Sequence, residues 1–166
     1  LKGDYRLAVY LFTFHAYGTW LPDRQRGYTR RDDGVHPKDD WIANCYREAM
    51  SDEPASMTKM VQQVVVDAVR EKCEIKDWTC HGIATDLSHV HILLSWEAYT
   101  PWESVRRGLK SSITRQLNVR IARRKWLTQK GSRKWVKARN HFDYLLTTYL
   151  PSHSGVGWYR HLDKEC

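Results

Sequence analysis

Apolar residues along this chain follow two periods, close to two in some stretches and close to three and a half in others. From Tyr5 to His15, Val, Tyr, Leu, Phe and Thr follow one another without Gly or Pro, which predicts a first strand with both faces partly buried. The next stretch, "AYGTWLPDRQRGYTRRDDGVHPKDD", carries Gly, Pro, Asp and Arg without periodicity and reads as a long loop ending near Asp40. Trp41 to Met50 has the length of a short helix. Ser56 is the expected N-cap of a longer one, whose Met57, Met60, Val61, Val64, Val65, Ala68, Val69 and Cys73 fall at steps of three and four.

Trp78 to Ala84 and Ser88 to Trp96 are strand-like runs separated by "TDLS", close enough to pair as a hairpin. Pro101 then opens a second long helix with Trp102, Val105, Leu109, Ile113, Leu117 and Ile121 on one stripe. A last strand is expected around Ser132 to Lys137, and "NHFDYLLTTYL", from Asn140 to Pro151, is helical in pattern. Strand, helix, strand, strand, helix, strand is the order of a ferredoxin-like split βαβ fold. The expectation is therefore an α+β protein, one domain over residues 1–166: an antiparallel sheet with helices on one face, plus an extra C-terminal helix.

Composition narrows the partner. The chain has 166 residues, is 42% hydrophobic and carries a formal net charge of +8, which makes an anionic partner the first expectation. The charge is concentrated: between Pro101 and Asn140, Arg106, Arg107, Lys110, Arg115, Arg120, Arg123, Arg124 and Lys134 are among the cations set against a single acid, Glu103. One sign over that length repels itself unless a polyanion neutralises it, so the region is expected to be a nucleic-acid track. Eight tryptophans and nine tyrosines suit base stacking, although aromatic rings also fill cores. Cys45, Cys73, Cys80 and Cys166 lack CxxC spacing and are read as reduced thiols. With no apolar run of the roughly 18 residues a membrane span needs, and an opening stretch too alternating for a secretory signal, the chain is expected to be soluble and cytoplasmic.

One strand carries chemistry. In "SHVHILLSW", Ser88 to Trp96, residues i and i+2 share a face, so His89 and His91 present both imidazoles to one point while Val90 turns to the core. Such a pair can hold a divalent metal if a third ligand comes from elsewhere, or it can be two structural histidines bonded to neighbouring polar groups. Antiparallel pairing of the first and third strands would bring His15 beside His89, either as a phosphate contact or a group orienting a ligand, or as a half-buried structural histidine at a strand end.

"HVH" at the mouth of an apolar strand, the βαββαβ order and a tyrosine on a late helix resemble the single-tyrosine HUH transposases, REP-associated tyrosine transposases in particular. "YGTWLPDRQRGY" (17–28) and "GSRKWVKARNHFDYLLTTYLPSHSG" (131–155) look like segments of one branch of them. The resemblance implies that His89 and His91 bind Mg2+ or Mn2+ and that Tyr149 or Tyr144 attacks single-stranded, hairpin-containing DNA, leaving a 5′-phosphotyrosine and a free 3′-hydroxyl. Members of that family place a polar ligand four residues after the tyrosine. Tyr149 has His153 there and Tyr144 has Thr148, which selects Tyr149 as nucleophile and His153 as third ligand. Pro151 between them is incompatible with a regular helix interior, so His153 would act from a turn. Members act as monomers or as dimers, so a homodimer is admissible. The competing reading is a nucleic-acid-binding domain with the same fold and no chemistry. A two-histidine phosphoesterase would need a second HxT/S motif, which the chain lacks, and a replication initiator or relaxase would need more chain.

Overall fold

The structure, a computed structural model, describes residues 7–19, 21–30 and 34–162. Tyr5, at the expected start of the first strand, and Cys166 lie outside the described residues, while Cys45, Cys73 and Cys80 are free thiols.

Strand β1 spans Leu7–His15 and is followed by a short hairpin, β2 (Tyr28–Arg30) with β3 (Gly34–His36). That hairpin sits inside the stretch expected to be a long loop, and Gly34, the first residue of β3, adopts φ 72°, a left-handed conformation open to glycine. Helices α1 (Asp40–Glu48) and α2 (Lys59–Lys76) come next. The α2 cap is Thr58 rather than Ser56: its hydroxyl accepts from the Val61 N–H, and Met57 is buried ahead of the helix while Met60 is 65% exposed. Strands β4 (Thr79–Thr85) and β5 (His89–Glu97), helix α3 (Trp102–Arg120) and strand β6 (Ser132–Trp135) follow at the expected places.

The antiparallel sheet has five strands in the order β6-β1-β5-β4-β7, where β7 is Gly157–Tyr159 pairing with the outer edge of β4. The first four reproduce the split βαβ arrangement. The fifth, too short for alternation to reveal, is an addition to the expected sheet.

Alternation along the central strands sorts side chains into two layers. Phe12, Phe14, Val90, Ile92 and Leu94 pack against the apolar stripes of α2 and α3. Leu11 and Leu93 point the other way, onto Val136 just after β6 and onto Leu145 and Leu150 from the C-terminal helical segment. Coverage of both faces explains why β5 is apolar on both sides after its second histidine, with Ser95 the one polar residue before Glu97. The C-terminal segment changes winding twice, from α4 (Arg139–Tyr144) through one π-turn (Leu145–Tyr149) to a 3₁₀ turn (Leu150–Ser152). Because Pro151 has no N–H, Thr147 loses an α-helical partner, and the Leu150 N–H bonds instead to the Leu145 carbonyl. No helix among the described residues is long and apolar enough to cross a membrane.

Candidate metal and nucleophile site

Antiparallel registration of β1 on β5 sets His15 opposite His89 and Thr13 opposite His91. All four side chains share the sheet face that the C-terminal segment covers. The ring centroids of His15 and His89 lie 5.7 Å apart, so the expected proximity is present. The turn after Ser152 brings in His153, centred 4.6 Å from His91 and 5.5 Å from His89. One ring nitrogen from each of His89, His91 and His153 lies within 4.8 Å of the other two, so the three could hold a metal ion.

Hydrogen bonds to the opposite ring nitrogens organise this triad. His153 Nδ1 donates to the Tyr149 carbonyl at 3.0 Å and to the Leu150 carbonyl at 3.2 Å, acceptors that the broken helix leaves without α-helical partners. The bond fixes the tautomer and leaves Nε2 as a lone-pair donor. His91 Nδ1 meets the Thr13 hydroxyl at 2.7 Å, and His89 Nδ1 meets the Ser88 hydroxyl at 2.9 Å. Burial, followed by the charges of neighbouring histidines, lowers His91 to about 3. Burial and then His89 lower His15 to about 4, and burial is also the main cause of the lowered His89 pKa. Neutral imidazoles are the form that binds metal.

The Tyr149 hydroxyl lies 3.2 Å from His91 Nε2, and burial raises its pKa above the usual phenol value. Tyr144 is 52% exposed, with its ring centroid 6.4 Å from that of Tyr149. Of the two candidate tyrosines, Tyr149 is thus the one that meets the triad.

Thr13 and Ser88 were not singled out in the sequence, yet Thr13 was within reach of it: two residues before His15, on the same face, it must oppose the second histidine once His15 opposes the first. A second omission is Gln62, buried in α2. Its amide donates to the Met57 carbonyl at 2.7 Å, and its Oε1 accepts from the Thr85 hydroxyl at 3.0 Å and the Val156 N–H at 2.9 Å. Together with a bond from the Gly155 N–H to the Thr85 carbonyl, this pins the chain just beyond His153. A polar residue inside an apolar stripe gave no hint of which segment it would hold.

The basic residues divide. Arg106, Arg107, Lys110, Arg115 and Arg123 line a groove of about 830 Å3 beside α3. Arg120 instead pairs with Asp67 at 3.1 Å, Arg124 bonds to the Glu53 carbonyl and lies over Trp126, and Lys134 is exposed on β6. The groove belongs to the helical layer, on the opposite side of the sheet from the histidines. Its Gly131 wall abuts the Phe14 ring and the Thr13 carbonyl.

No family profile and no curated protein matches the sequence. Among solved structures, a REP-associated tyrosine transposase bound to a REP hairpin aligns at 10% identity over 88% of this chain and 67% of its own, with a TM-score of 0.43. A protein from Deinococcus radiodurans described as a transposase aligns at 10% identity over 94% of this chain and 98% of its own, with a TM-score of 0.46.

Proposed function

We propose that the protein is a metal-dependent transesterase of single-stranded DNA, transposase-like, that cleaves and rejoins strands through a 5′-phosphotyrosine on Tyr149. The observation that carries this reading is the meeting of three imidazoles with one partly buried phenol, 3.2 Å from His91 Nε2. Three histidines are an ordinary metal site, but a tyrosine hydroxyl held against them is a nucleophile beside an electrophilic centre. The donor set is all nitrogen, which suits Mn2+ better than the oxygen-seeking Mg2+.

His89, His91 and His153 would hold the ion, which when bound offsets charge on the scissile phosphate and favours departure of the 3′-oxygen. The chain's own part is positional. The π-turn and the Leu145 and Leu150 anchors hold Tyr149 on the sheet, and the bond from His153 Nδ1 to the Tyr149 carbonyl ties nucleophile and ligand together. In the step itself the phenol oxygen forms a bond to phosphorus as the bond to the 3′-oxygen breaks. The tyrosine proton is lost and the leaving oxygen gains one, so the exchange is proton-neutral and its reversal needs no nucleotide. His15 is read as a phosphate contact beside the triad. All these groups come from one chain, and the site is taken as completed in cis.

Incubating the protein and Mn2+ or Mg2+ with a pool of single-stranded hairpin DNAs tests this. The expected result is a covalent adduct that peptide mass spectrometry places on Tyr149, absent after His91→Ala. Binding without an adduct on any cleavable hairpin would leave a non-catalytic nucleic-acid binder.

A further inference from the structure

At the end of β1 away from the histidines, aromatic rings open onto the surface. Tyr10 stacks on Trp96 at 5.2 Å between ring centroids and on Trp135 at 6.2 Å, and Trp135 is 53% exposed on β6, an outer strand of the sheet. With Trp102, the first residue of α3, these rings line a cavity of about 240 Å3. That is below the range of about 300–1,000 Å3 typical of drug-sized ligands and suits a single heterocycle. The Trp96 indole N–H is already bonded to the Thr100 carbonyl at 2.8 Å, so the cavity offers ring faces rather than free donors from that side.

Cations lie against two of these rings. The Arg133 guanidinium lies 3.9 Å from the centre of the Trp102 ring and that of Arg106 lies 4.9 Å from it, while the Lys137 ammonium is 4.3 Å from the centre of the Trp135 ring. Arg106 also donates to the Gly131 carbonyl and lines the basic groove, so one guanidinium links that groove to the Trp102 ring of the cavity. An apolar side chain of a protein partner would fill the cavity but bring no anion to the three cations beside its rings. A ligand that pairs a flat ring with an adjoining anion satisfies both.

We infer that this cavity takes one unpaired nucleobase of a single strand whose phosphates pass Arg106, Arg133 and Lys137. The inference rests on the nucleic-acid reading above, though not on its cleavage chemistry. Stacking on aromatic faces is indifferent to base identity, so the site discriminates unpaired from paired strands rather than one sequence from another.

The test uses the full chain in EDTA, with a single-stranded oligonucleotide carrying one 2-aminopurine and a blunt duplex of the same sequence. Stacking quenches the fluorescent base. Trp135→Ala is expected to lower single-strand affinity roughly 5- to 150-fold and to abolish the quench while leaving duplex affinity unchanged, and Trp135→Phe should retain most of both. Arg106→Ala should weaken single strand and duplex alike. Unchanged single-strand affinity and quench in Trp135→Ala, with Arg106→Ala still weakening both substrates, would overturn the base site and spare the nucleic-acid reading. Absence of binding to either substrate by the wild-type chain would overturn both.

Discussion

Replacing Thr13 with valine separates the stability of the site from its capacity for metal. The Thr13 hydroxyl lies 2.7 Å from His91 Nδ1 and the residue is 8% exposed, so valine keeps the shape and leaves that nitrogen against a methyl group. An unpaired buried donor costs about 1–3 kcal/mol. For a chain of this size about 1 kcal/mol moves the melting temperature by roughly 2–4 °C, so the upper bound on the loss is about 12 °C. The imidazole has an escape, which makes the experiment informative. It can move its proton to Nε2 and donate to the Tyr149 hydroxyl 3.2 Å away, recovering much of the stability. That tautomer has no lone pair facing His89 and His153. The expected outcome is therefore a small fall in melting temperature with a loss of about 10- to 100-fold in Mn2+ affinity by calorimetric titration. Thr13→Ser, which keeps the hydroxyl, should retain affinity. Unaltered Mn2+ affinity in Thr13→Val would refute ligation through Nε2 of His91.

Tyr149→Phe should bind DNA and Mn2+ yet form no covalent adduct, whereas Tyr144→Phe should keep activity; an adduct on Tyr144 in the wild type would reverse the assignment. Gly155→Ala should lower both melting temperature and Mn2+ affinity, because a Cβ there would overlap the Thr85 carbonyl and come within 2.6 Å of Gln62 Oε1; calorimetry that finds both unchanged removes the clamp. Log–log salt plots of DNA affinity should flatten by about one unit per lost phosphate contact when Arg107, Arg115 and Arg123 are changed to Ala, and by less for Arg120 and Arg124, which are already engaged. Without metal, stability should fall as the pH drops below about 6.5. Burial lowers His15 to about 4 and His91 to about 3, so over that window the unfolded chain takes up protons that the folded one refuses. A melting temperature that stays flat between pH 7 and pH 5 in EDTA would contradict the burial of these rings.

How much of this was legible in the sequence follows from range. Periodicity within one strand or helix gave β1, β4, β5 and α3, and antiparallel pairing gave the approach of His15 to His89, because register follows from which residues face the core. The spacing of Tyr149 and His153 indicated a shared site, but the means by which they share it was hidden: a regular helix would put them on one face, whereas here a π-turn, a proline and a side-chain bond to a backbone carbonyl do so. Charge was legible as a cluster between Pro101 and Asn140, but not which of its cations the fold engages. Which arginines are engaged depended on the Asp67 carboxylate of α2 and on the Glu53 backbone carbonyl in the loop before it. The hairpin of β2 with β3, and β7, each have strands of three residues, too few for alternation to register.

The widened turn at Leu145–Tyr149 has a consequence for how the gene can change. A π-turn accommodates one residue more than an α-helical turn, and such turns are erased by deleting a single codon, after which the helix relaxes to its ordinary pitch. Each residue of an α-helix advances the side chain by about 100°. A deletion between Phe142 and Thr148 would thus leave the helix better formed while swinging the phenol away from the histidines. The hairpin between Gly18 and Asp40 contributes no group to the triad, so changes of length there would leave its geometry intact. Lineages of this protein should accordingly gain and lose residues freely before α1 and keep an invariant count from α4 to His153, even where the residues themselves drift.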